Sequence, residues 1–355
     1  DESTGDIRQI GFRVKNSDGS LPGMPDYLSI GQVSEDTDND LNFWKDTSNN
    51  DTNKRCDIRY IYVNGGPFGG WRSWTTEDGD RVKSYIRESL KLGMIPFFVY
   101  YNIPDSGESY DLDIKHINDK SYMEGYYSDL KYFLDLCKEY AGDETVGMIF
   151  EPDFIGYMMQ QSNKQPSEIS ALVDCAYSSG VLDKDKDPTF DNTVEGLVKS
   201  INYIVRKYHK PAYFGWQFNI WSYDSHEIPS QGLLHKTEFL GWEEGRKFIK
   251  DVATETANYY KAAGITTEGA DFISIDKYGL DGAYETGAAT DPQSSKWFWN
   301  ADLWNNYVLY TKSLHERTKL PILLWQIPVG HINNSESENP YSSDGKFPNL
   351  TNTPT

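Results

Sequence analysis

The sequence lacks any continuous apolar stretch of the ~20 residues that a membrane-spanning helix needs. It is also poor in basic side chains, with 34 Lys and Arg against 54 Asp and Glu and a formal net charge of −20 at pH 7. Because a negative surface repels phosphate groups and anionic lipids, neither nucleic acid nor a membrane is expected as a partner. A neutral polymer such as a polysaccharide suits this charge better.

No signal peptide is visible, because the chain opens with the polar residues Asp1, Glu2, Ser3 and Thr4. A mature secreted protein has the same kind of beginning. We therefore expect a secreted, extracellular protein that acts as a monomer, with membership of a longer modular protein left open.

Cysteine is scarce, and the three residues present are Cys56, Cys137 and Cys175. An odd number excludes a framework in which every cysteine is paired within the chain. We expect buried thiols, with a single disulfide as the alternative.

Motifs for metals and for serine nucleophiles are missing. The six histidines show no His-Glu-x-x-His spacing, and no Gly-x-Ser-x-Gly elbow is present. Two acidic runs, 36–40 and 183–187, resemble the start of a calcium loop, but Leu41 and Pro188 stand where such a loop needs glycine. We expect solvated acidic loops and no cofactor, with one structural calcium as the alternative.

Apolar runs of strand length recur along the chain, and they are rich in Ile, Val, Phe and Tyr. The runs are 27–33, 58–64, 95–101, 145–151, 211–218, 271–276 and 321–327. Their nearly continuous apolarity is typical of parallel strands that are buried on both faces. A shorter run, 10–14, is a candidate eighth strand.

Segments with helical spacing lie between these runs. They are 77–93, 119–142, 193–209, 241–264 and 301–318. Alternation of strand and helix predicts an α/β fold, an irregular (β/α) TIM-like barrel with seven or eight parallel strands. A chain of 355 residues suits one such barrel as a single domain over residues 1–355, with 331–355 as a loop-like C-terminal segment.

Polar residues collect at the carboxyl ends of the predicted strands, where α/β barrels place their chemistry. The strand-end residues of interest are Asp105, Glu151, Asp153, Asn219 and Asp276, and His331 follows the last strand. For each one a structural role is the alternative: Asp105 as the cap of the next turn, or Asp276 as the partner of Lys277 or Arg72. As a set they favour catalysis, because buried charge is costly unless it is paired.

Two of these carboxyl groups stand two residues apart in Glu151-Pro152-Asp153. Glycoside hydrolysis needs a protonated acid and a second group that activates water or attacks directly. The apolar residues Phe154 and Ile155 predict a pocket that raises the pKa of Asp153. In an extended segment Glu151 would project to the same side. We expect Asp153 to be the acid, while Glu151, Asp105 and Asp276 tune it, bind water or contact sugar hydroxyls.

Aromatic residues are abundant, with 10 Trp, 25 Tyr and 16 Phe. Many stand beside Gly, Asn, Asp and Ser, a context that suits flat sugar rings. The candidate sugar-binding residues are Trp71, Trp74, Trp216, Asn219, Trp221, Tyr278, Trp325 and His331. For Trp216 and Trp325 the alternative is the core, because they belong to predicted strands.

The strand ends resemble those of glycoside hydrolase family 6, the cellobiohydrolases and endoglucanases. Segment 149–153 is similar to the family's (Ile/Val)-Glu-Pro-Asp, and 103–108 to its Leu-Pro-Asp-Arg-Asp-Cys. Segment 271–282 resembles Phe-Ile-x-Asp-x-x-Arg-x-Gly, and 325–333 resembles Trp-Val-Lys-Pro-Gly-Gly-Glu-x-Asp. The four short motifs occur in the family's order.

This resemblance implies a distorted barrel of seven strands, inverting hydrolysis of β-1,4-glucans, and Asp153 as general acid. The sequence departs from the family at Gly107 and Glu108, which replace Asp and Cys, and at Ile327 and Asn333, which replace Lys and Asp. The water-activating carboxylate is therefore missing at the matching place.

Two alternatives follow from the same residues. A retaining barrel glycosidase would use Glu151 as acid/base, but Gln326 stands where its nucleophile belongs, unless Asp276 serves instead. A non-catalytic polysaccharide-binding barrel would explain the departure at Asn333.

Overall fold

The structure is a computed structural model that describes residues 23–46, 56–223, 232–276 and 301–327. The predicted run 10–14, the C-terminal segment 331–355, Tyr278 and His331 lie outside the described residues. Asp276 ends a strand, but its side chain also lies outside what the structure describes.

Seven strands form one sheet in which neighbouring strands follow chain order. They are β1 (Gly31–Val33), β2 (Ile58–Asn64), β3 (Ile95–Tyr101), β4 (Gly147–Phe150), β5 (Tyr213–Phe218), β6 (Phe272–Asp276) and β7 (Ile322–Trp325). The pairings of β1 with β2, β2 with β3, β3 with β4 and β6 with β7 are parallel. The predicted α/β barrel-like fold class is confirmed, with seven strands among the described residues.

Ten helices accompany the strands in the described part of the chain. They are α1 (Asp38–Lys45), α2 (Asp80–Lys91), α3 (Tyr110–Ile117), α4 (Lys120–Ala141), α5 (Phe154–Gln161), α6 (Cys175–Ser178), α7 (Val194–Tyr208), α8 (Lys236–Leu240), α9 (Trp242–Ala263) and α10 (Ala301–Thr318). All five predicted helices are present within three residues of their expected bounds. In α4 the Asp119 side chain accepts the Tyr122 amide at the start, and Gly142 follows the end at φ 60°.

Burial follows the position of each strand in the sheet. Every residue of β3 and β4 is buried, as the apolar runs predict. The prediction is wrong for β1, whose three residues are all exposed, because β1 lies at the edge of the sheet that the described residues form and pairs there with β2. It is also wrong for most of β7, of which only Trp325 is buried.

The chain packs as two compact units. The first unit consists of Asp1–Pro152, Ser170–Gly215 and Thr267–Ala270, and the second unit consists of Asp153–Ile169, Trp216–Thr266 and Asp271–Thr355. The boundary between Pro152 and Asp153 divides the Glu-Pro-Asp motif. The prediction of a single domain stays a prediction.

Aromatic rings dominate the core of each unit. In the first unit the Phe133 ring lies 5.3 Å from the rings of both Phe98 and Tyr100, measured between centroids. In the second unit Phe218 of β5 stacks on Tyr260 of α9 at 4.0 Å. Part of the chain's high aromatic content is therefore used in core packing.

One aspartate of each acidic run forms an ion pair with a basic side chain, and the cysteines form no disulfide. Asp36 pairs with the buried Arg59 at 2.7 Å, and Asp187 pairs with Lys207 at 2.6 Å. Among the described residues no group of three or more His, Cys, Asp and Glu side chains is placed to hold a metal ion. All three cysteines are free thiols; Cys137 and Cys175 are buried and Cys56 is half-buried. No helix in the described ranges is long and apolar enough to cross a membrane.

A glycine of β4 provides a test of this packing. Gly147 pairs with Phe97 of β3, and a Cβ atom at Gly147 would overlap the Phe97 ring. We expect Gly147→Ala to lower the free energy of unfolding by about 1–3 kcal/mol, because both residues are buried and the ring must move. Urea unfolding measures this, with Gly69→Ala as control, since no atom lies within 4 Å of a Cβ there. Equal stability of the two variants would contradict the described packing of β3 on β4.

Candidate active site

The Glu-Pro-Asp motif directly follows β4 with an unusual backbone. Glu151 has a φ of 41° and Asp153 a φ of 71°, both in the left-handed region that non-glycine residues seldom adopt. The extended segment predicted from the sequence is therefore wrong, and with it the argument that placed both side chains on the same side. Strain of this kind costs on the order of 1–3 kcal/mol and is typical of functional sites.

Glu151, in the first unit, is sealed from solvent, with 1% of its surface exposed. Its carboxyl group accepts hydrogen bonds from the Ile103 amide at 3.0 Å, from the Asn102 amide at 3.1 Å and from the Tyr126 hydroxyl at 2.8 Å. Its own amide donates to the carbonyl of Tyr100 at 2.8 Å. Glu151 therefore binds the backbone of the neighbouring strand β3 at the point where that strand ends.

Burial dominates the proton affinity of this carboxyl group. It raises the pKa of Glu151 to about 8, although the hydrogen bonds from Ile103, Tyr126 and Asn102 act in the opposite direction. A second buried carboxyl group, Asp129 of α4, has its pKa raised by burial to about 6, against the hydrogen bonds from Tyr100 and Trp71. Burial thus raises the proton affinity of both carboxyl groups above that of an exposed carboxyl group.

Asn102 joins the ends of β2 and β3. Its side-chain oxygen accepts the Gly66 amide at 3.1 Å, and its side-chain nitrogen donates to the Val63 carbonyl at 2.9 Å. Its backbone carbonyl accepts the Tyr122 hydroxyl at 2.9 Å. The glycine-rich loop after β2 is therefore fixed to the end of β3 by one buried amide.

Asp105 follows the end of β3 and is 40% exposed. Burial acts to raise its pKa, but the hydrogen bonds from the Ser106 hydroxyl and amide, together with the positive charge that His116 carries when protonated, act in the opposite direction, and the pKa of Asp105 is lowered. The cap of the next helix is Ser109 rather than Asp105. Asp105 is thus an ionised and accessible carboxylate.

Asp153 belongs to the second unit and is partly exposed. It occupies the N-cap position of α5, but its side chain makes no capping hydrogen bond. Instead its Oδ1 accepts the Asn219 side-chain nitrogen at 2.5 Å. The buried Tyr260 hydroxyl donates to Asn219 Oδ1 at 3.1 Å, which fixes the amide with its nitrogen toward Asp153.

Gly156 makes room for this arrangement on α5. A Cβ atom at Gly156 would lie 2.6 Å from Asn219 Oδ1 and 2.9 Å from the Trp221 ring. Trp221 is half-buried, and its ring lies 5.0 Å from that of Tyr157. The acid candidate, its amide partner and an aromatic pair are therefore brought together in the second unit.

Several predicted sugar-binding residues belong to the core instead. Trp71, Trp216 and Trp325 are 0%, 1% and 5% exposed, so their prediction as sugar platforms is wrong. Trp71 lies in a short 3-10 helix rather than an open loop, and its Nε1 donates to the buried Asp129 at 3.1 Å. Trp74 is 49% exposed and stays a candidate.

Sequence reasoning missed an exposed ring six residues before Trp74 in the chain. Phe68 is 67% exposed, and its ring lies 6.0 Å from that of Tyr122. A Cβ atom at Gly125 would lie 2.6 Å from the Phe68 ring, so the ring rests directly on α4. Glycine within a helix costs about 1 kcal/mol relative to alanine, which suggests a specific use of the space. The flanking glycines of segment 65–70 were the available signal.

The pKa of Glu151 makes a testable contribution to stability. Because its pKa is raised from 4.5 to about 8, the folded chain keeps a proton that the unfolded chain releases first as pH rises. Its contribution is therefore fully present below about pH 4.5 and is lost as pH rises toward 8, by up to about 1.4 kcal/mol per pH unit. We therefore expect the free energy of unfolding of the wild type to fall relative to that of Glu151→Gln as pH rises from 5 to 8.

Urea unfolding at several pH values measures the difference in unfolding free energy between the two proteins. The exposed Glu255→Gln of α9 is the matched control, for which no such trend is expected. A difference between wild type and Glu151→Gln that does not change with pH would contradict the raised pKa.

No protein-family model and no curated protein matches the chain, but solved structures do. Endoglucanase CEL6B from Humicola insolens is 15% identical over 78% of this chain and 66% of its own, with a TM-score of 0.39. A GH6 enzyme from Orpinomyces sp. Y102 is 13% identical over 79% and 64%, with a TM-score of 0.37. Cellobiohydrolase II (CEL6A) from Humicola insolens, in complex with glucose and cellotetraose, is 12% identical over 87% and 75%, with a TM-score of 0.41.

The chain spans about two thirds of the first two of these structures. The likeness to these structures is distant, since all three TM-scores lie below 0.5.

Proposed function

We propose that the chain is a glycoside hydrolase that cleaves a β-linked polysaccharide, with a β-1,4-glucan as first choice. In this proposal Asp153 is the general acid and the reaction inverts the anomeric centre. The proposal depends on how Asp153 is placed. Its side chain binds Asn219 instead of capping the helix that follows, and its backbone has a left-handed φ.

An aspartate at a helix N-cap normally accepts a backbone amide of the first turn, which stabilises the helix by roughly 1 kcal/mol. Asp153 gives up that contribution and also adopts a left-handed φ. Tyr260 and Asn219, both buried, hold the carboxyl group in place. The backbone conformation of Asp153 costs free energy and places an accessible carboxyl group, which supports a catalytic role for Asp153.

Glu151 is a poorer acid candidate than Asp153. A general acid must come within about 2.6–3.2 Å of the atom that it protonates. The Glu151 carboxyl group is sealed and already contacts two backbone amides and a hydroxyl group. This favours Asp153 over the retaining alternative that uses Glu151 as acid/base.

Other features support the choice of substrate. The half-buried pair Tyr157 and Trp221 offers aromatic surface next to the Asp153–Asn219 pair. A net charge of −20 suits a neutral polymer. The strand-end motifs support a β-1,4-glucan and inversion. Such a polymer is too large to enter a cell, so the proposal includes secretion.

A non-catalytic sugar-binding protein is the second candidate. Gly107 stands where the family motif has a carboxylate, which favours this alternative. Binding of a polysaccharide without release of product by the wild type would establish it.

We expect Asp153→Asn to lower the rate of reducing-sugar release from an unactivated β-glucan by at least about 100-fold, because the leaving oxygen then receives no proton. Hydrolysis of a 2,4-dinitrophenyl β-cellobioside should fall far less, since that leaving group needs no protonation. The two rates, measured side by side, separate loss of the acid from loss of the fold.

Asp251→Asn is the matched control, because this α9 carboxylate is 70% exposed and far in sequence from the motif. It should keep both activities. Equal losses on both substrates in Asp153→Asn would contradict the assignment of Asp153 as acid. Proton NMR of the first anomer released tests inversion, and release of the β anomer from a β-glucan would contradict it.

A further inference from the structure

We propose that Asp105, His116 and Phe68 form a saccharide-binding subsite in the first unit, which takes two adjacent hydroxyl groups of a pyranose ring. The inference rests on the proposed function, because it deepens the choice of substrate. It assigns a role to His116 and Phe68, which the acid chemistry of Asp153 does not use.

His116 is held in one orientation and one tautomer. Its side chain is 6% exposed and stacks on the Tyr122 ring at 3.8 Å with an interplanar angle of 8°. Its Nδ1 lies 2.6 Å from the carbonyl oxygen of Ile103. A carbonyl oxygen only accepts, so Nδ1 carries a hydrogen, and when the ring is neutral Nε2 presents a lone pair.

That lone pair faces a second acceptor. His116 Nε2 lies 3.7 Å from Asp105 Oδ2, which is beyond hydrogen-bond distance. The other carboxylate oxygen, Oδ1, already accepts the amide and the hydroxyl of Ser106. When His116 is neutral, both atoms are acceptors, and donor groups of a ligand can satisfy both of them.

A ligand that satisfies both atoms must carry two donors close together. Hydroxyl groups on neighbouring carbons of a pyranose ring meet this requirement, one donating to Asp105 Oδ2 and the other to His116 Nε2. Asp105 is 40% exposed, so a ligand can reach the pair from the solvent side. A protonated imidazole would satisfy the pair without any ligand, and the experiment below tests for that outcome.

Phe68 supplies the apolar surface that such a ring needs. Its ring is 67% exposed and approaches Tyr122 edge-on, with an interplanar angle of 86°. Tyr122 in turn stacks on His116, and a Cβ atom at Gly66 would lie 2.8 Å from both Asp105 Cβ and the Tyr122 hydroxyl oxygen. Tyr122 therefore connects the exposed ring to the acceptor pair.

The surrounding backbone is rigid. Asn102 binds the Gly66 amide and the Tyr122 hydroxyl, and Glu151 binds the amides of Asn102 and Ile103. Preorganised groups of this kind lose little freedom when a ligand binds, which favours specific recognition.

The test uses NMR of the imidazole protons in Asp153→Asn, in which hydrolysis of the probe is suppressed. The probes are cellopentaose, mannopentaose and permethylated cellopentaose, which has the same shape but no hydroxyl donors. His116→Asn assigns the signal of His116, since asparagine keeps a donor for the Ile103 carbonyl and removes Nε2. We expect the His116 signal to shift saturably with an unmodified pentaose and not with the permethylated one.

Isothermal titration gives the corresponding dissociation constants. Phe68→Ala should weaken binding about tenfold, and His116→Asn about fivefold, the value of one lost hydrogen bond. Gly125→Ala should also weaken binding, because it displaces the Phe68 ring without lowering the helix propensity of α4. Phe43→Ala, which removes another half-exposed ring of the first unit, should leave the constant unchanged.

The proposal is overturned if the His116 signal stays unmoved when a pentaose saturates the protein, if permethylated cellopentaose shifts it equally, or if no probe binds. If the His116 signal is that of an imidazolium without any probe and no probe changes it, His116 and Asp105 form only an ion pair with each other. A His116 shift in a protein whose wild type releases no product would uphold the subsite and reject the proposed hydrolase activity. If instead Phe68→Ala and His116→Asn bound the pentaose as the wild type does, and the wild type hydrolysed the glucan, the hydrolase activity would be upheld and the subsite rejected.

Discussion

The hydrogen bonds between the Glu151 carboxyl group and the backbone amides of Asn102 and Ile103 hold the strand ends of the first unit together. Where a parallel strand ends, its last amides lose their partners in the sheet, and buried amides without partners are costly. Glu151 comes from the neighbouring strand end and supplies the missing acceptor. Asn102 then binds the loop after β2, and the Ile103 carbonyl binds His116. Glu151 and Asn102 together link the ends of β2, β3 and β4, and Ile103 links them to a helix.

The two carboxyl groups of one short motif have different environments, and the environment decides what each can do. Glu151 is sealed among donors, where burial raises its pKa and no substrate atom can approach it. Asp153, two residues later, is partly exposed and has an amide from β5's end as its partner. Both residues have a left-handed backbone, unlike the residues of an extended strand. A strand end that carries both residues therefore combines a structural carboxyl group with an accessible one.

The sequence predicted the strands and helices well wherever the signal was local. The bounds of β2, β3 and α10 were obtained to the residue, because apolar runs and helical periodicity depend only on neighbours along the chain. Burial was predicted less well. Trp71 stands among glycines and polar residues like a loop tryptophan, yet its indole reaches Asp129, 58 residues away. The residues near Trp71 in the sequence do not indicate this partner.

The candidate sites were predictable only in part, for the same reason. Asp153, Asn219 and Asp105 were identified because they end predicted strands, and parallel strands end at one edge. His116 and Phe68 gave no such signal, since one lies on a helix and the other in a loop, and Tyr122 of α4 connects them. The left-handed backbone of the Glu-Pro-Asp motif was also missed, because residues with Cβ atoms seldom adopt it.

Each of the two proposed sites has a glycine inside a neighbouring helix, and both glycines have the same physical effect. Gly125 of α4 leaves room for the Phe68 ring, and Gly156 of α5 leaves room for Asn219 and Trp221. Each glycine lowers the stability of its helix relative to alanine, so helix propensity does not explain the glycine at either position. A third helical glycine, Gly245 of α9, only allows the backbone of α8 to approach, so close approach by itself does not mark a site. At Gly125 and Gly156 the space is filled instead by aromatic or amide side chains of the kind that sugars contact. In each unit, therefore, a helical glycine leaves room for side chains of a proposed site.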